Sequence, residues 1–249
     1  MPTVLITGCS SGFGLETAKL FLEKGWKVVA TMRSPKGGIL PASHNLTILP
    51  LDVTDPASVA SAIEKAGDID VLVNNAGFGA AVPIELIEPA TARQLFDTNM
   101  LGTLAMVQAV LPKFRKRRSG TIINVTSTVT LKPLPLVSVY RASKAAVNAL
   151  TESLAVEMEP FGVRVHIVLP GRSPETSFSD RAMPHLRGLD NPDYKPLIEG
   201  LIANFRADTG PVTRAADVAE AVWRAASDPG APLWIPAGED AVQWMAEAR

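Results

Sequence analysis

Tyr140 and Lys144, in the segment Tyr140-Arg141-Ala142-Ser143-Lys144, fall within a helical pattern at i and i+4, so the two side chains share one face. A phenol with a pKa of about 10 is a poor base at neutral pH. A neighbouring ammonium favours its phenolate. The pair therefore predicts a group able to take a proton from an alcohol as hydride leaves carbon, or to give one to a ketone as hydride arrives. The same spacing also suits an amphipathic helix with a buried ring and an exposed lysine. Ser127 stands thirteen residues before Tyr140, at the carboxyl end of an expected strand over 121–125. Its hydroxyl is placed to hydrogen-bond a substrate oxygen and turn it toward Tyr140. Thr126 and Thr128 are rival hydroxyls, although alternation along a strand sends adjacent side chains to opposite faces. A turn serine that satisfies local backbone is the plainer alternative.

A second set of residues suits a nucleotide. Gly8, Cys9, Ser10, Ser11, Gly12, Phe13 and Gly14 lie between the first expected strand and the first expected helix. A pyrophosphate there would meet backbone N–H groups and the positive end of a helix dipole. The spacing is Gly-x-x-x-Gly-x-Gly rather than Gly-x-Gly-x-x-Gly, and a loop that merely needs positive φ would also use glycine. Ligands of open α/β sheets bind beyond the carboxyl ends of strands. Asp52-Val53 and Asn74-Asn75-Ala76-Gly77 fall at two such ends. Asp52 suits an adenine amino group, and equally a polar cap with Thr54 and Asp55. The second strand ends at Arg33 with no acidic residue to grip a ribose 2′-hydroxyl. Arg33 can instead pair with a 2′-phosphate through charge-assisted bonds. The expected cofactor is NADP(H) in preference to NAD(H), with a solvated surface arginine as the alternative.

The elements that must position these residues alternate along the chain. Apolar runs predict strands at 4–6, 26–30, 46–51, 69–73, 121–125, 163–169 and 233–235. Helical periodicity predicts helices at 12–24, 56–66 after an Asp55 cap, 90–116, 139–159, 195–205 and 215–226. Short apolar strands joined by helical crossovers imply a parallel sheet covered on both faces. No repeat or linker divides residues 1–249, so one domain is expected. Residues 173–196, rich in Pro, Ser, Asp and Arg, break the alternation and form the expected mobile segment. Residues 173–210 are the expected substrate-binding loop and helix.

Composition narrows the classes of function. Lys plus Arg total 24 against 25 for Asp plus Glu, which removes the usual footprint of nucleic-acid binding. One cysteine, Cys9, excludes an intrachain disulfide framework, and the three histidines, His44, His166 and His185, have no metal-ligand spacing. No leader pattern and no apolar run long enough to span a membrane are read, so the expected setting is the cytoplasm. The basic cluster 113–118 ends a helix, where it is expected to complement the dipole and stay solvated. Leu134, Leu136, Val137, Met183 and Leu186 are candidate walls of a pocket for a moderately hydrophobic substrate.

Taken together, Thr7-Gly8-x-x-x-Gly12-x-Gly14, Asp52, Asn74-Asn75-Ala76-Gly77, Asn99, Ser127, Tyr140-x-x-Ser143-Lys144 and Pro170-Gly171 resemble the compact short-chain dehydrogenases/reductases. The motifs Cys9 to Gly14 and Ala30 to Arg33 look nearest to the steroid- and retinol-dehydrogenase-like branch. The resemblance implies a single-domain Rossmann-type fold, a doubly wound parallel seven-stranded sheet in the order 3-2-1-4-5-6-7 with helices on both faces. It implies Tyr140 as the acid/base, Ser127 as the substrate-oxygen partner, and Lys144 as both ribose ligand and pKa-lowering cation. Asn99 would anchor a relay water, and Pro170, Gly171 and Thr176 would flank the nicotinamide amide. Arg172-Ser173-Pro174-Glu175, which separates Gly171 from Thr176, departs from the family pattern. Asn99 also reads as a polar residue at a local helix irregularity. A homodimer or homotetramer is the family habit. The expected activity is NADP(H)-dependent interconversion of a ketone or aldehyde and an alcohol. The alternatives are an NADP(H)-sensing protein on the same fold, and a related C=C reductase or epimerase.

Overall fold

The first strand shows how the sequence builds the core. In β1 (Thr3–Thr7), Val4, Leu5 and Ile6 are all fully buried, because a strand at the centre of a parallel sheet has apolar layers on both sides. The twofold alternation of side chains divides them: Val4 and Ile6 join one apolar cluster, Leu5 the other. The computed structural model describes residues 1–176 and 186–248.

Among those residues the sheet has seven strands in the order β3-β2-β1-β4-β5-β6-β7, the order expected. They are β1, β2 (Lys27–Met32), β3 (Leu46–Pro50), β4 (Val71–Asn74), β5 (Gly120–Val125), β6 (Val163–Pro170) and β7 (Trp234–Ala237). All neighbouring pairs are parallel. The order reverses between β1 and β4, and the carboxyl ends of these two strands open the crevice that such a switch point creates.

Helices α1 (Gly12–Glu23) and α7 (Ala215–Ser227) cover one face, where Phe21, Val218 and Val222 meet Val4, Ile6 and Val28. On the other face lie α2 (Pro56–Ala66), α4 (Gly102–Arg117) and α5 (Ser138–Met158), whose Ile63, Met106, Phe114 and Leu154 pack on Leu5, Leu72 and Ile122. Asp55 caps α2 as expected, its carboxylate accepting from the Ala57 N–H at 3.0 Å. The basic cluster is structural: Lys113 donates to the Gly67 carbonyl, Arg117 to those of Ile69 and Ser119, and Arg118 to that of Pro160.

Two expectations need correction. The helix read over 90–116 is interrupted: α3 (Pro89–Phe96) passes into a π-helical turn at Asp97–Leu101 before α4 begins. Side-chain periodicity scarcely registers one extra residue in a turn, and such bulges gather at functional sites. Beyond α6 (Lys195–Ala207) and α7, a further helix, α8 (Glu239–Glu247), follows β7 where the periodicity predicts none. Its short sequence buries only Asp240 and Ala241, so its apolar stripe is too brief to read. Of the expected mobile segment, residues 177–185 lie outside the described residues; its helical end, α6, begins at Lys195.

Candidate active site

The glycine loop is shaped by close backbone approach. Gly8 has φ of +77°, and a Cβ on Gly14 would stand 2.5 Å from the Gly8 carbonyl oxygen and from Asn75 Nδ2. The side chain of Asn75 donates to the Thr7 carbonyl at 2.9 Å and the Gly8 carbonyl at 3.3 Å. The Thr7 hydroxyl accepts from the N–H groups of Asn75 and Ala76, both at 2.9 Å. Asn75 was expected at the cofactor; its amide also ties the end of β4 to the loop after β1. Thr7, the first residue of the glycine motif, joins the same two strand ends. Its position as the last residue of β1 is the signal that marks it.

A cleft of about 610 Å³ opens above these strand ends, lined by Gly8, Ser11, Gly12, Phe13, Asn75, Ala76, Gly77, Val125, Thr126, Tyr140, Lys144 and Thr176. The helical spacing does bring Tyr140 and Lys144 together at one wall, both nearly buried. Thr176 reaches the cleft despite the unusual Arg172–Glu175 stretch, and its Cβ would lie 3.6 Å from a Cβ on Gly12.

The Tyr140 hydroxyl is hydrogen-bonded to the side chain of Ser127. Ser127 Oγ also accepts from the Val129 N–H at 3.3 Å, capping a short 3-10 turn at Thr128–Thr130, so the plainer turn reading holds for its backbone contact. Burial pushes the phenol up to about 12, while the Ser127 hydrogen bond works in the opposite direction. This corrects the expectation of a lowered phenol, because loss of solvent outweighs the stabilisation of the phenolate. The Lys144 ammonium donates to the Val125 carbonyl at 2.9 Å, and burial pushes it down to about 8.

Asn99 lies in the π turn and is almost fully buried. Its Oδ1 accepts from the Phe78 N–H at 3.1 Å, and its Nδ2 donates to the Phe78 carbonyl and to Ser143 Oγ, both at 3.0 Å. Ser143 in turn donates to the Tyr140 carbonyl at 2.7 Å. One asparagine therefore links the segment after β4 to the helix that carries Tyr140 and Lys144. Its backbone carbonyl accepts from the Thr103 hydroxyl at 2.8 Å.

At the far end of the crevice Asp52 Oδ1 accepts from the N–H and hydroxyl of Thr54, at 3.0 and 2.7 Å. These bonds hold its carboxyl below the usual range, with the Arg33 cation adding to the effect. Arg33 is exposed directly after β2. Pro170 ends β6, and the Gly171 N–H donates to Thr213 Oγ1 at 2.8 Å. Of the expected pocket wall, Val137 packs against a small cluster of Ala80, Val82, Leu95 and Tyr140, and Leu136 takes φ of +66°. Leu134 is exposed, Leu186 is half-buried, and Met183 lies outside the described residues.

These features fit a dinucleotide. Gly8, Gly12 and Gly14 leave the loop backbone bare at three positions, and the Thr126 hydroxyl, in the cleft wall, is buried without a hydrogen-bond partner. Among the described residues no three His, Cys, Asp or Glu side chains gather as metal ligands would, and no helix is long and apolar enough to cross a membrane.

A doubly wound sheet with a glycine loop at its switch point and a Ser–Tyr–Lys group on the same rim defines a dinucleotide-binding architecture. The chain belongs to the short chain dehydrogenase family, whose model matches residues 2–184. It is 41% identical over 181 residues to retinol dehydrogenase 8 of Bos taurus, covering 68% of this chain and 58% of that protein. That relative agrees with the steroid and retinol branch. Among solved structures, the closed form of serine dehydrogenase complexed with NADP+ superimposes with a TM-score of 0.82 at 29% identity, covering 96% of this chain and 95% of that one. A 3-ketoacyl-(acyl-carrier-protein) reductase from Brucella melitensis complexed with NADH gives 0.80 at 28% identity, covering 95% and 96%.

Proposed function

We propose that the protein is an NADP(H)-dependent oxidoreductase that interconverts a ketone or aldehyde and an alcohol. The observation that carries this reading is the pairing of the Tyr140 and Ser127 hydroxyls at a cleft floored by the glycine loop and bounded by Lys144. A bound nicotinamide would supply or accept the hydride. Tyr140 would donate its phenolic proton to the carbonyl oxygen in reduction, leaving a phenolate, and in oxidation that phenolate would take the proton of the alcohol. Ser127 donates a hydrogen bond to the same oxygen and fixes its direction. Lys144 offers ammonium hydrogens to the ribose. Asn99 holds the Phe78 and Ser143 frame, and we assign it the relay-water role.

Gly8, Ser10, Ser11, Gly12, Phe13 and Gly14 would hold the pyrophosphate, Asp52 and Val53 the adenine, and Asn75, Ala76, Gly77, Pro170 and Gly171 the nicotinamide half. The two structural neighbours carry NADP+ in one case and NADH in the other, so the preference for NADP(H) rests on the cation of Arg33 and the lack of a carboxylate at the end of β2. Residues 173–210 are assigned to binding a moderately hydrophobic substrate, in keeping with the apolar cluster around Tyr140. A homodimer or homotetramer in the cytoplasm completes this reading, supported by the exposed Leu101 and Val156.

The test is nicotinamide-coupled turnover on a panel of ketones, aldehydes and alcohols. Tyr140→Phe should lower kcat by about 10²- to 10⁴-fold, the usual contribution of a positioned acid/base. Turnover that survives the substitution would remove Tyr140 from this role. Tight NADPH binding without turnover on any substrate would favour a sensing protein. Arg33→Ala should weaken NADP+ binding by about 10- to 100-fold, the equivalent of a lost hydrogen bond to a charged group, and leave NAD+ binding unchanged. Tighter binding of NAD+ than NADP+ by the wild type would reject the preference.

A further inference from the structure

The backbone of the loop after β6 is held by an element outside the cleft. Asp240 lies in the first turn of α8, just beyond β7, and is 7% exposed. Its Oδ2 accepts from the Arg172 N–H at 2.6 Å, and its Oδ1 lies 2.7 Å from the Thr213 hydroxyl. That hydroxyl accepts from the Gly171 N–H at 2.8 Å, and the Thr213 N–H donates to the Arg172 carbonyl at 2.8 Å. Two consecutive amides and one carbonyl of the loop are therefore fixed by Asp240 and Thr213. A Cβ on Gly171 would lie 2.1 Å from Asp240 Oδ2, so the backbone and the carboxylate approach more closely than any side chain would permit. A short bond from an amide to a carboxylate is among the stronger hydrogen bonds, and here it is shielded from water.

The other end of α8 meets the second loop of the site. Glu247 pairs with Lys132, whose ammonium also lies 4.9 Å from the centroid of the Trp244 ring. Lys132 follows closely on the Thr128–Thr130 turn that Ser127 caps. The helix thus touches the loop that carries Ser127 and the loop that carries Gly171, although Asp240 does not itself line the cleft.

We propose that Asp240 is a positioning residue: through the amides of Gly171 and Arg172 it sets the β6 loop against the nicotinamide end of the cofactor, so that hydride-transfer geometry depends on α8. This rests on the assignment above of Pro170 and Gly171 to the nicotinamide half. Misplacement of a reacting group by an ångström is enough to slow a reaction on the order of a hundredfold.

The test compares wild type, Asp240→Ala and Asp240→Asn. Asparagine keeps an oxygen for the Arg172 N–H, and the Thr213 proton then has the Ala237 carbonyl, 2.7 Å away, as its acceptor. Three readouts are needed: amide hydrogen exchange at Gly171 and Arg172, affinity for NADP+ and for adenosine 2′,5′-bisphosphate, which lacks the nicotinamide, and kcat. Asp240→Ala should speed exchange at Arg172, weaken NADP+ but not the bisphosphate, and lower kcat by about 10- to 100-fold; Asp240→Asn should restore most of each. Where Asp240→Ala does not fold, Thr213→Val serves in its place, since it removes the acceptor for the Gly171 N–H, and the same pattern is expected. Unchanged NADP+ affinity and kcat overturn the proposal, as does equal weakening of both ligands, the mark of a general structural role. A wild-type protein that binds neither ligand overturns the cofactor reading and this proposal with it; the other two results overturn the proposal alone.

Discussion

Lys144 holds its charge against its surroundings. Its pKa lies at about 8 in the fold and 10.5 as the ordinary value. The folded chain thus releases this proton more readily than the unfolded one. The penalty for burying the ammonium is fully present below about pH 8 and fades as pH rises toward 10.5. A shift from 10.5 to about 8 corresponds to roughly 3 kcal/mol, which is larger than the roughly 0.5–1.5 kcal/mol expected net from a single hydrogen bond such as that to Val125. Lys144→Met should therefore show a Tm at pH 7 no lower than wild type by calorimetry, while turnover falls steeply. A marked drop in Tm would show that the bond to the Val125 carbonyl outweighs the buried charge. In the wild type, kcat/KM for the cofactor should decline as pH rises through about 8 and the ammonium is lost. Tyr140 moves the other way, up to about 12, so it stays a proton donor throughout that range.

Helix α1 shows why a glycine can matter more to an element than helix propensity does. Alanine at an interior helical position is favoured over glycine by about 0.5–1 kcal/mol. At Gly14, however, the added Cβ would meet the Gly8 carbonyl oxygen and Asn75 Nδ2 at 2.5 Å, and overpacking of this kind costs about 1–3 kcal/mol. The clash is the larger effect. Gly14→Ala should lower the stability measured by urea titration and weaken NADP+ binding, because the glycine loop and the Asn75 tie shift together. Unaltered cofactor affinity would separate the loop from the site. The π turn at Asp97–Leu101 works on the same scale: it is the local helix irregularity that Asn99 suggests in the sequence, and it turns that side chain inward between Phe78 and Ser143, partners that the helical periodicity of 90–116 does not reveal.

Across the whole molecule, the layer of α1 and α7 is joined by a group of three rings. Phe21 lies 5.2 Å from both Trp26 and Trp223 by ring centroids, and the two indoles are 5.6 Å apart, all edge-to-face. Phe21 is fully buried, so Phe21→Ala should cost about 3–5 kcal/mol of unfolding free energy, read by tryptophan fluorescence in urea. Turnover by the folded fraction should persist, since the rings lie away from the cleft; its loss would tie this layer to catalysis. By itself the sequence determined the alternation of strands and helices, the sheet they form, and the shared face of Tyr140 and Lys144. Those follow from apolar periodicity and from spacing within single elements, which are local. Tertiary structure alone decided that Ser127 pairs with Tyr140, that burial raises the phenol instead of leaving it lowered, and that Asp240 holds an amide 68 residues away. Each of these depends on water removed and partners supplied by segments remote in sequence, a sum over neighbours that no local pattern records.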